Sequence, residues 1–510
     1  MYLLAGPTNT ATTRRPALPG ASLAVALISS VLLVAGCSSP GGAPSGPGSS
    51  GTAAGSTSGA AQVQPFPVAE NQKPGTPDWR VRRLGSPDAI EGFADRVSVP
   101  PGQQFRLFVS TTSRWWRVEA FRMGWYNGAQ ARRVWQSDKV AGLVQRAPVL
   151  SASTNMVRAP WRPSLTVRSA STAGAVVIIN DVTTWQAYNR WGGYDLYTGP
   201  GGFADRARAV SFDRPYNANS YDNGAEWFES FDQAAIALAE KTGVPLAYET
   251  DVDLNQNPGL LSGARAVITL GHDEYYSAAM RDRLAAARDA GVNIAFLGAN
   301  AVFRHIRFGS SPLGADRVVI CYKVASEDPL FGVNNSATTQ DWREPPDPRP
   351  ESTLTGVLYE CNPVSDAYVV DDPGNWIFAG TGARKGESFA GMVGPEYDRV
   401  NPAAPVPRPI EVLAHSPLTC AGAASYADSA YYTARGGAGV FASGTMRWVC
   451  AMRGRSCGHG VSNAARRFVD IATTNLLRVF AAGPAGLTHP ARDNLARLHE
   501  ASSFAGPSGD

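Results

Sequence analysis

The sequence has little net charge and, beyond its first residues, no apolar run that approaches the length needed to span a bilayer. Lysine and arginine number 46 and aspartate and glutamate 43, which gives a net charge of +3. This charge is too small to indicate nucleic acid or an anionic membrane surface as a partner. The apolar share of 44% is ordinary for globular proteins, so the chain of 510 residues can bury a sizeable core.

Cysteine is scarce, with six residues in the chain, and no CxxC pair or Cys/His spacing typical of a zinc site occurs. Cys450 and Cys457 are close enough in sequence to form a disulfide-closed loop in an oxidising compartment. Cys321 is a candidate partner for Cys361 or Cys420. Because five cysteines follow the first one, the sequence predicts that one thiol stays unpaired.

Three common catalytic signatures are also absent: the GxSxG nucleophile elbow, the HExxH zinc helix and the Walker phosphate loop. His415 and His459 have no companion at ligand spacing, which favours ordinary polar positions for both. The glycine run at residues 436–439 favours a turn into a strand. Cys321 lacks the flanking glycines of an elbow, so a nucleophilic role for it, as in an amidotransferase-like domain, ranks last among the functional hypotheses.

The N-terminus has the layout of a bacterial lipoprotein signal. Arg14 and Arg15 precede an apolar run over residues 21–36, which ends at Cys37 in a Val-Ala-Gly-Cys sequence that resembles a lipobox. We expect lipidation of Cys37 to anchor an extracytoplasmic, secreted protein to a bacterial membrane, with residues 38–65 as a flexible Gly/Ser/Pro-rich tether. The alternative is an ordinary secretory signal with a chance cysteine.

Composition and periodicity divide the chain further. After the signal at 1–37 and the tether at 38–65, residues 66–170 have alternating apolar runs between turn residues, which predicts a small β-sandwich. Residues 171–485 alternate buried strands with helices, which predicts an α/β domain. Residues 486–510 are predicted to be a weakly ordered tail.

The centre of the α/β domain is predicted to be a strand–helix–strand unit. Apolar strands over 267–270 and 292–297 flank a helix over 277–288, as judged from the spacing of apolar residues. A crossover of this length predicts parallel pairing of its two strands. Ligands in open α/β sheets bind beyond the carboxyl ends of such strands.

Polar residues follow both of these strands. Gly271 breaks the first strand and is followed by His272, Asp273 and Glu274, and Asn300 comes just after the second strand. One interpretation is helix initiation, with Asp273 as the cap and Glu274 in the first turn. The other is a carboxylate presented with an imidazole at the edge of the sheet, and the two interpretations are compatible.

Two tyrosines favour the functional interpretation. Tyr188 follows the strand that begins near residue 175, and Tyr216 lies in an Asp-Arg-Pro-Tyr sequence. Taken singly, a tyrosine is more often structural, with its hydroxyl group bonded to a neighbour. A phenolate is, however, an anionic oxygen ligand that iron accepts. Two phenolates and one carboxylate would offset the charge of a ferric ion and leave positions open for water and substrate.

Several segments, taken together and in order, resemble the C-terminal catalytic region of the large subunit of N,N-dimethylformamidase and its relatives. The resemblance covers residues 175–480, and as a set its segments are specific. They are TWQAYN at 184–189 with WGG at 191–193, SFDRPY at 211–216, GHDEY at 271–275, GAN at 298–300, CYK at 321–323 and GPE at 394–396.

The resemblance implies a metal site. The family's enzyme hydrolyses an amide with mononuclear iron, as Fe³⁺, held by two tyrosines and a glutamate. The residues implied here are Tyr188 and Tyr216 as phenolate ligands and Glu274 as the carboxylate ligand. Because the spacing between the matching segments varies, Tyr197 is the alternative to Tyr216.

The resemblance also implies roles outside the ligand set. His272 and Glu396 are similar to the family's outer-sphere pair, which would activate water or shuttle protons. Asn300 and Lys323 would orient substrate or stabilise the developing oxyanion. Two features depart from the family pattern: Pro395 stands directly before Glu396, and the lipobox and tether are not features of the cytoplasmic amidase.

The expected fold is therefore α/β, an open and mostly parallel sheet flanked by helices, as in class I glutamine amidotransferase or flavodoxin-like domains, preceded by the small β-sandwich. The expected function is iron-dependent hydrolysis of the C–N bond of a small amide. A second copy of the chain or a small subunit is a further candidate partner. The alternative is a cell-surface protein that binds glycan or peptide without turnover. The predicted tether and the aromatic pair Trp115 and Trp116 favour this alternative.

Overall fold

The computed structural model describes residues 2–7, 23–26, 66–81, 85–86, 89–168, 176–217 and 227–498. Cys37 and the predicted tether lie outside these ranges, so the lipid anchor stays a prediction, as do the domain boundaries. Within the ranges, no helix combines the length and the apolar composition needed to cross a membrane.

A seven-stranded mixed sheet lies at the centre of the fold. The first five strands pair in parallel, and the last two join through antiparallel pairings. In spatial order the strands are Leu246–Thr250, Val176–Asn180, Ala266–Gly271, Asn293–Gly298, Gly439–Ala442, Ala423–Thr433 and Ile410–Cys420.

Both faces of this sheet are covered, because successive side chains of a strand point to opposite sides and both sides are apolar. Ile178 and Ile268 belong to one buried cluster, and Val177 and Val267 belong to the other. The helix Asn463–Ala482 packs its apolar stripe into the first cluster, as the periodicity of residues 463–480 predicts. The parallel strands therefore lie inside the molecule, and a functional site is expected at their ends.

The remaining strands form smaller sheets. Two antiparallel sheets of the N-terminal region share a core that contains Phe105, Val109 and Trp116. The strands outside the central sheet are Tyr2–Pro7, Leu23–Ala26, Ile90–Ala94, Gln104–Thr111, Trp115–Met123, Ala131–Gln136, Val140–Ala141, Val149–Ser151, Met156–Arg158, Leu165–Arg168, Ala209–Ser211, Tyr275–Ser277, Arg304–Ser311, Gly314–Ile320, Leu358–Cys361, Asp366–Val369, Ser388–Val393 and Tyr397–Arg399.

The prediction of an open, mostly parallel flavodoxin-like α/β fold is wrong. The described residues form several mixed or antiparallel sheets of short strands. Two residues join Arg304–Ser311 to Gly314–Ile320, and two join Ile410–Cys420 to Ala423–Thr433. Such short loops connect only antiparallel neighbours, whereas a parallel pair needs a long crossover. The regular alternation of strands and helices ends near residue 300, and hairpins replace it.

The helices are mostly short, and one of them begins directly at the end of a strand of the central sheet. Leu246–Thr250 ends at Thr250, whose side chain accepts a hydrogen bond from the N–H of Asp253 and so begins the next helix. The helices are Phe66–Asn71, Val182–Ala187, Gln233–Thr242, Asp251–Gln256, Ala278–Asp289, Ser352–Thr355, Arg447–Ala451 and Asn463–Ala482, with a π-helical turn at Phe228–Asp232.

The central crossover is confirmed as a parallel pair, Ala266–Gly271 with Asn293–Gly298. Its helix, Ala278–Asp289, is capped by Ser277, whose Oγ accepts from the N–H of Met280 at 3.2 Å. The prediction that Asp273 caps this helix is wrong, because the short strand Tyr275–Ser277 intervenes. Residues 272–274 therefore form the connection between two strands, which frees their side chains for other contacts.

Two disulfides close loops in the C-terminal half. Cys450 is bonded to Cys457, as predicted, and Cys361 is bonded to Cys420. Cys321 is the free cysteine among the described residues, and its thiol is buried. The predicted pairing of Cys321 with Cys361 or Cys420 is wrong, because those two cysteines bond to each other. One unpaired thiol agrees with the odd count in the sequence.

Candidate functional site

The hydroxyl groups of two tyrosines meet the carboxylate of Glu274. The Tyr188 hydroxyl lies 2.6 Å from the Tyr197 hydroxyl and donates to Glu274 Oε2 at 2.9 Å. The Tyr197 hydroxyl lies 3.0 and 3.1 Å from the two carboxylate oxygens. Glu274 is 1% exposed. Four oxygen atoms from three side chains thus lie close together at the inner end of the site.

The central sheet positions these groups. Tyr188 caps the C-terminus of Val182–Ala187, the helix that follows Val176–Asn180, and Glu274 follows the adjacent parallel strand Ala266–Gly271. Adjacent parallel strands end at the same edge of a sheet, so the two loops meet there. A hydrogen bond of 3.0 Å from the N–H of Glu274 to Thr184 Oγ1 holds the loops together.

Tyr216, the second tyrosine in the implied ligand set, is directed elsewhere. Its hydroxyl group contacts Gln186, and among the described residues it is not a hydrogen-bond partner of Glu274. The segment around Tyr216 is held by buried Arg214, whose guanidinium donates to the carbonyl oxygen of Asn189 at 2.7 Å. The structure therefore brings the alternative, Tyr197, to Tyr188 and Glu274 and does not bring Tyr216 there.

His272 and Glu396, the outer-sphere pair that the resemblance implies, lie next to the Glu274 carboxylate. His272 Nε2 is 3.4 Å from Glu274 Oε2 and 3.2 Å from Glu396 Oε2. Asn300 donates from Nδ2 to Glu396 Oε2 at 2.8 Å, and its Oδ1 is buried with no hydrogen-bond partner in the part of the chain that the structure describes. Asn362 approaches Glu396 Oε1 at 3.4 Å. His272, Glu396 and Asn300 thus form one connected cluster beside Glu274.

Burial and charge act in opposite directions on this pair. Burial by itself would lower the pKa of His272, but the carboxylates of Glu396 and Glu274 outweigh it and raise that pKa. Burial would raise the pKa of Glu396, but His272 and Asn300 outweigh it and lower that pKa. Both shifts favour an ion pair between the imidazolium and the carboxylate.

Lys323 contacts two tyrosines of the site, Tyr275 and Tyr197. Its Nζ donates to the hydroxyl group of Tyr275 at 2.6 Å and lies 3.5 Å from the centroid of the Tyr197 ring. Burial, and then the charge of Arg304, lowers the pKa of Lys323 to about 7. Arg304 also donates from Nε to Glu274 Oε1 at 3.3 Å. All these basic groups are buried, so they act on the site at short range.

Four residues of the site were not predicted from the sequence. Arg304 and Tyr275 are neighbours across a pair of parallel strands, Thr184 holds the loop of Glu274, and the ring of Trp227 packs 4.6 Å from that of Tyr188. Tyr275 could have been suspected from its place directly after Glu274. The other three have no local signal, since only tertiary packing brings them to the site.

The oxygen donors fit the ion that the family resemblance implies. Burial first, and then the charge of Glu274, raises the pKa of both Tyr188 and Tyr197. Deprotonating two such phenols beside a carboxylate therefore requires a cation of high charge, and hard anionic oxygens are ligands that ferric iron accepts. Within the described ranges, no group of three or more His, Cys, Asp or Glu side chains is arranged to hold a metal ion.

Other candidate residues lie in ordinary environments. Cys321 is buried, and burial raises the pKa of its thiol, which disfavours a nucleophilic thiolate. His415 pairs with Asp428 at 2.7 Å. Trp115 is 37% exposed but Trp116 is 1% exposed, so the two do not form a common aromatic face.

The chain matches a known family. The family model described as N,N-dimethylformamidase beta subunit-like, C-terminal, matches residues 117–173 and 164–463. The match spans more than half of the sequence, includes Tyr188, Tyr197, Glu274 and Glu396, and begins well before residue 175. No curated protein matches the chain.

Proposed function

The chain belongs to the N,N-dimethylformamidase beta subunit-like family, and we propose that it is an iron-dependent hydrolase that cleaves the C–N bond of a small amide. The observation that carries this proposal is the meeting of the Tyr188 and Tyr197 hydroxyl groups with the Glu274 carboxylate, in four contacts of 2.6 to 3.1 Å. These three side chains would hold mononuclear Fe³⁺. Bound there, the ion would act as a Lewis acid toward a carbonyl group or a water molecule.

The pair of His272 and Glu396 would handle the proton. Addition of a water oxygen to the amide carbon releases a proton, and the Glu396 carboxylate would accept it while the His272 imidazolium holds that carboxylate in place. The same pair returns the proton to the nitrogen when the C–N bond breaks, so that amide and water become carboxylic acid and amine. Glu396 suits this role because its side chain keeps 12% exposure whereas Glu274 keeps 1%.

Asn300 and Lys323 would support the reaction in different ways. The Nδ2 group of Asn300 is bonded to Glu396, so Asn300 orients the base. Lys323 uses one N–H on Tyr275, and an amine of a lysine has further donors to offer the oxygen of the substrate carbonyl. Such a donor stabilises the charge that develops on this oxygen during addition of water.

The remaining parts of the proposal concern the environment. We propose a lipid anchor at Cys37, which would place the protein outside the cytoplasm on a bacterial membrane. The burial of Glu274, which is 1% exposed, suits a small-molecule amide as the partner, and a small subunit or a second copy of the chain is the further partner that we propose.

Iron content tests the proposal directly. We expect purified full-length protein to hold about one iron ion per chain by elemental analysis and to show a visible phenolate-to-iron charge-transfer band. Glu274→Ala removes a ligand and should abolish both signals. Glu396→Gln is the matched control, since it should retain iron and lower the rate of amine release from small amides about 10²-fold to 10⁴-fold. Wild-type protein without iron, or Glu274→Ala with full iron content, would contradict the proposal.

A further inference from the structure

A chain of hydrogen bonds reaches Tyr197 from outside the ligand set. Lys323 Nζ donates to the Tyr275 hydroxyl at 2.6 Å, and this hydroxyl donates to the Tyr197 hydroxyl at 2.8 Å. Tyr275 is 0% exposed and Lys323 is 7% exposed, so water does not compete strongly for either bond. The chain leads in one direction, from the amine to the Tyr197 oxygen.

The chemistry of the donors explains this direction. An N–H of Lys323 points to the Tyr275 oxygen, which accepts it, and the hydrogen of the Tyr275 hydroxyl group is then available for Tyr197. Bonds in such a chain polarise one another, and each makes the next one stronger. Lys323 also acts on Tyr197 through space, because Nζ lies 3.5 Å from the centroid of that ring.

The fold holds Tyr275 in this position. Tyr275 pairs with Arg304 in the parallel strands Tyr275–Ser277 and Arg304–Ser311. Its carbonyl oxygen accepts a hydrogen bond from Thr183 Oγ1 at 3.1 Å. Lys323 follows the strand Gly314–Ile320 and has a φ of 62°, a backbone conformation that is unusual for a residue with a side chain. Strand pairing and Thr183 thus hold the backbone of Tyr275, and Lys323 holds its hydroxyl group.

The two tyrosines of the proposed ligand set are not equivalent in this respect. Tyr188 bonds to Tyr197 and Glu274, both members of the set. Tyr197 receives a further donor from Tyr275, which is not a member. Among the described residues, the Tyr197 oxygen therefore accepts a hydrogen bond from a hydroxyl group outside the ligand set, and the Tyr188 oxygen does not.

We propose that Tyr275, supported by Lys323, is a positioning residue that weakens electron donation from the Tyr197 phenolate to the bound iron. This inference rests on the proposed function. A hydrogen bond to a ligand oxygen withdraws electron density from it, and bonds of this kind tune the affinity and the reduction potential of metal sites. With Tyr275 in place, the iron keeps more of its Lewis acidity for the carbonyl group of the substrate.

The position of the visible band tests the inference independently of turnover. In Tyr275→Phe the Tyr197 phenolate loses its donor, so the phenolate-to-iron band should move to longer wavelength and the reduction potential should become more negative. Lys323→Met should shift the band in the same direction by less, because Tyr275 remains but is no longer polarised.

Tyr276→Phe is the matched control, since Tyr276 is equally buried and bonds to Asp273 rather than to the ligand set. Its band should coincide with that of the wild type. An unchanged band in Tyr275→Phe would overturn the inference while leaving the iron site standing, whereas wild-type protein without any band would refute the proposed function itself. If Tyr275→Phe does not fold or holds no iron, Lys323→Met decides: a shift to longer wavelength supports the inference and an unchanged band overturns it.

Discussion

Glu274 is the residue on which the hydrogen bonds of the candidate site converge. Tyr188, Tyr197 and Arg304 all donate to its carboxylate, which is 1% exposed. A carboxylate so deeply buried is tolerated only when charges or donors compensate the loss of water. The same arrangement would suit the proposed iron ion, since the two phenols would release their protons to become ligands. The proposed ligand set therefore depends on which tyrosine joins Tyr188 and Glu274.

Substitution of single tyrosines answers that question. Tyr197→Phe should lose iron and the visible band, because it removes an oxygen within 3.1 Å of both Glu274 oxygens. Tyr216→Phe should keep both, because its hydroxyl group contacts Gln186. Elemental analysis of the two variants, with circular dichroism to verify the fold, makes the comparison. Retention of iron by Tyr197→Phe with loss in Tyr216→Phe would reverse the assignment.

The element that delivers His272 and Glu274 is the end of the strand Ala266–Gly271. Gly271 has a φ of +51°, and a Cβ atom there would lie 2.2 Å from Cβ of Phe231. A side chain at this position would therefore push against the turn Phe228–Asp232 and strain the backbone at once. Glycine allows the chain to leave the sheet sharply enough for His272 and Glu274 to face Tyr188.

Gly271→Ala should lower the free energy of unfolding by about 2–5 kcal/mol, the sum of backbone strain and overpacking. Gly263→Ala is the matched control, because Gly263 also has a positive φ, +77°, but has open space around it. It should cost only the strain, about 1–2 kcal/mol. Urea unfolding of both variants gives the difference. Equal losses would mean that the contact with Phe231 does not constrain the turn.

The molecule as a whole carries a group of buried carboxyls beneath the site. Asp181, Asp232 and Asp251 are each at most 1% exposed, and they come from three separate elements. Burial first, and then repulsion from neighbouring carboxyls that include Asp273, raises the pKa of Asp181 well above its usual range. Burial raises the pKa of Asp232 and Asp251 in the same direction. The fold keeps these groups uncharged more easily than charged.

The stability of the protein should therefore fall as the pH rises. A carboxyl whose pKa is higher in the folded state contributes its full stability below the unfolded pKa and loses it as the pH rises through the folded pKa. Urea unfolding at about pH 5 and about pH 8 should show lower stability at the higher pH, and Asp181→Asn should reduce the difference. The exposed Asp282 supplies the control Asp282→Asn, which should leave the difference unchanged. A pH difference that Asp181→Asn fails to reduce would contradict this account.

Local patterns predicted the elements that depend on neighbours in sequence. The parallel crossover around Ala278–Asp289 follows from apolar spacing, and it is confirmed. The family resemblance of the sequence segments is confirmed as well. Three predictions failed where distant segments decide. The cap at Asp273 was lost to the short strand Tyr275–Ser277, which forms only by pairing with Arg304–Ser311. Cys321 is not paired with Cys361 or Cys420, because those two bond to each other, and the central sheet is mixed rather than parallel because a hairpin far along the chain joins it.

Residue types and short spacings were enough to predict the family, the buried strands, the loop at Cys450 and Cys457 and the presence of acidic, imidazole and phenol groups at strand ends. These features depend on residue type and on spacing over a few turns of chain. Long-range packing was needed to bring Tyr197 rather than Tyr216 to Glu274, and to place Tyr275 and Arg304 beside them. Contacts between residues about 80 positions apart depend on how the loops cross at the edge of the sheet, and local pattern carries little information about that crossing.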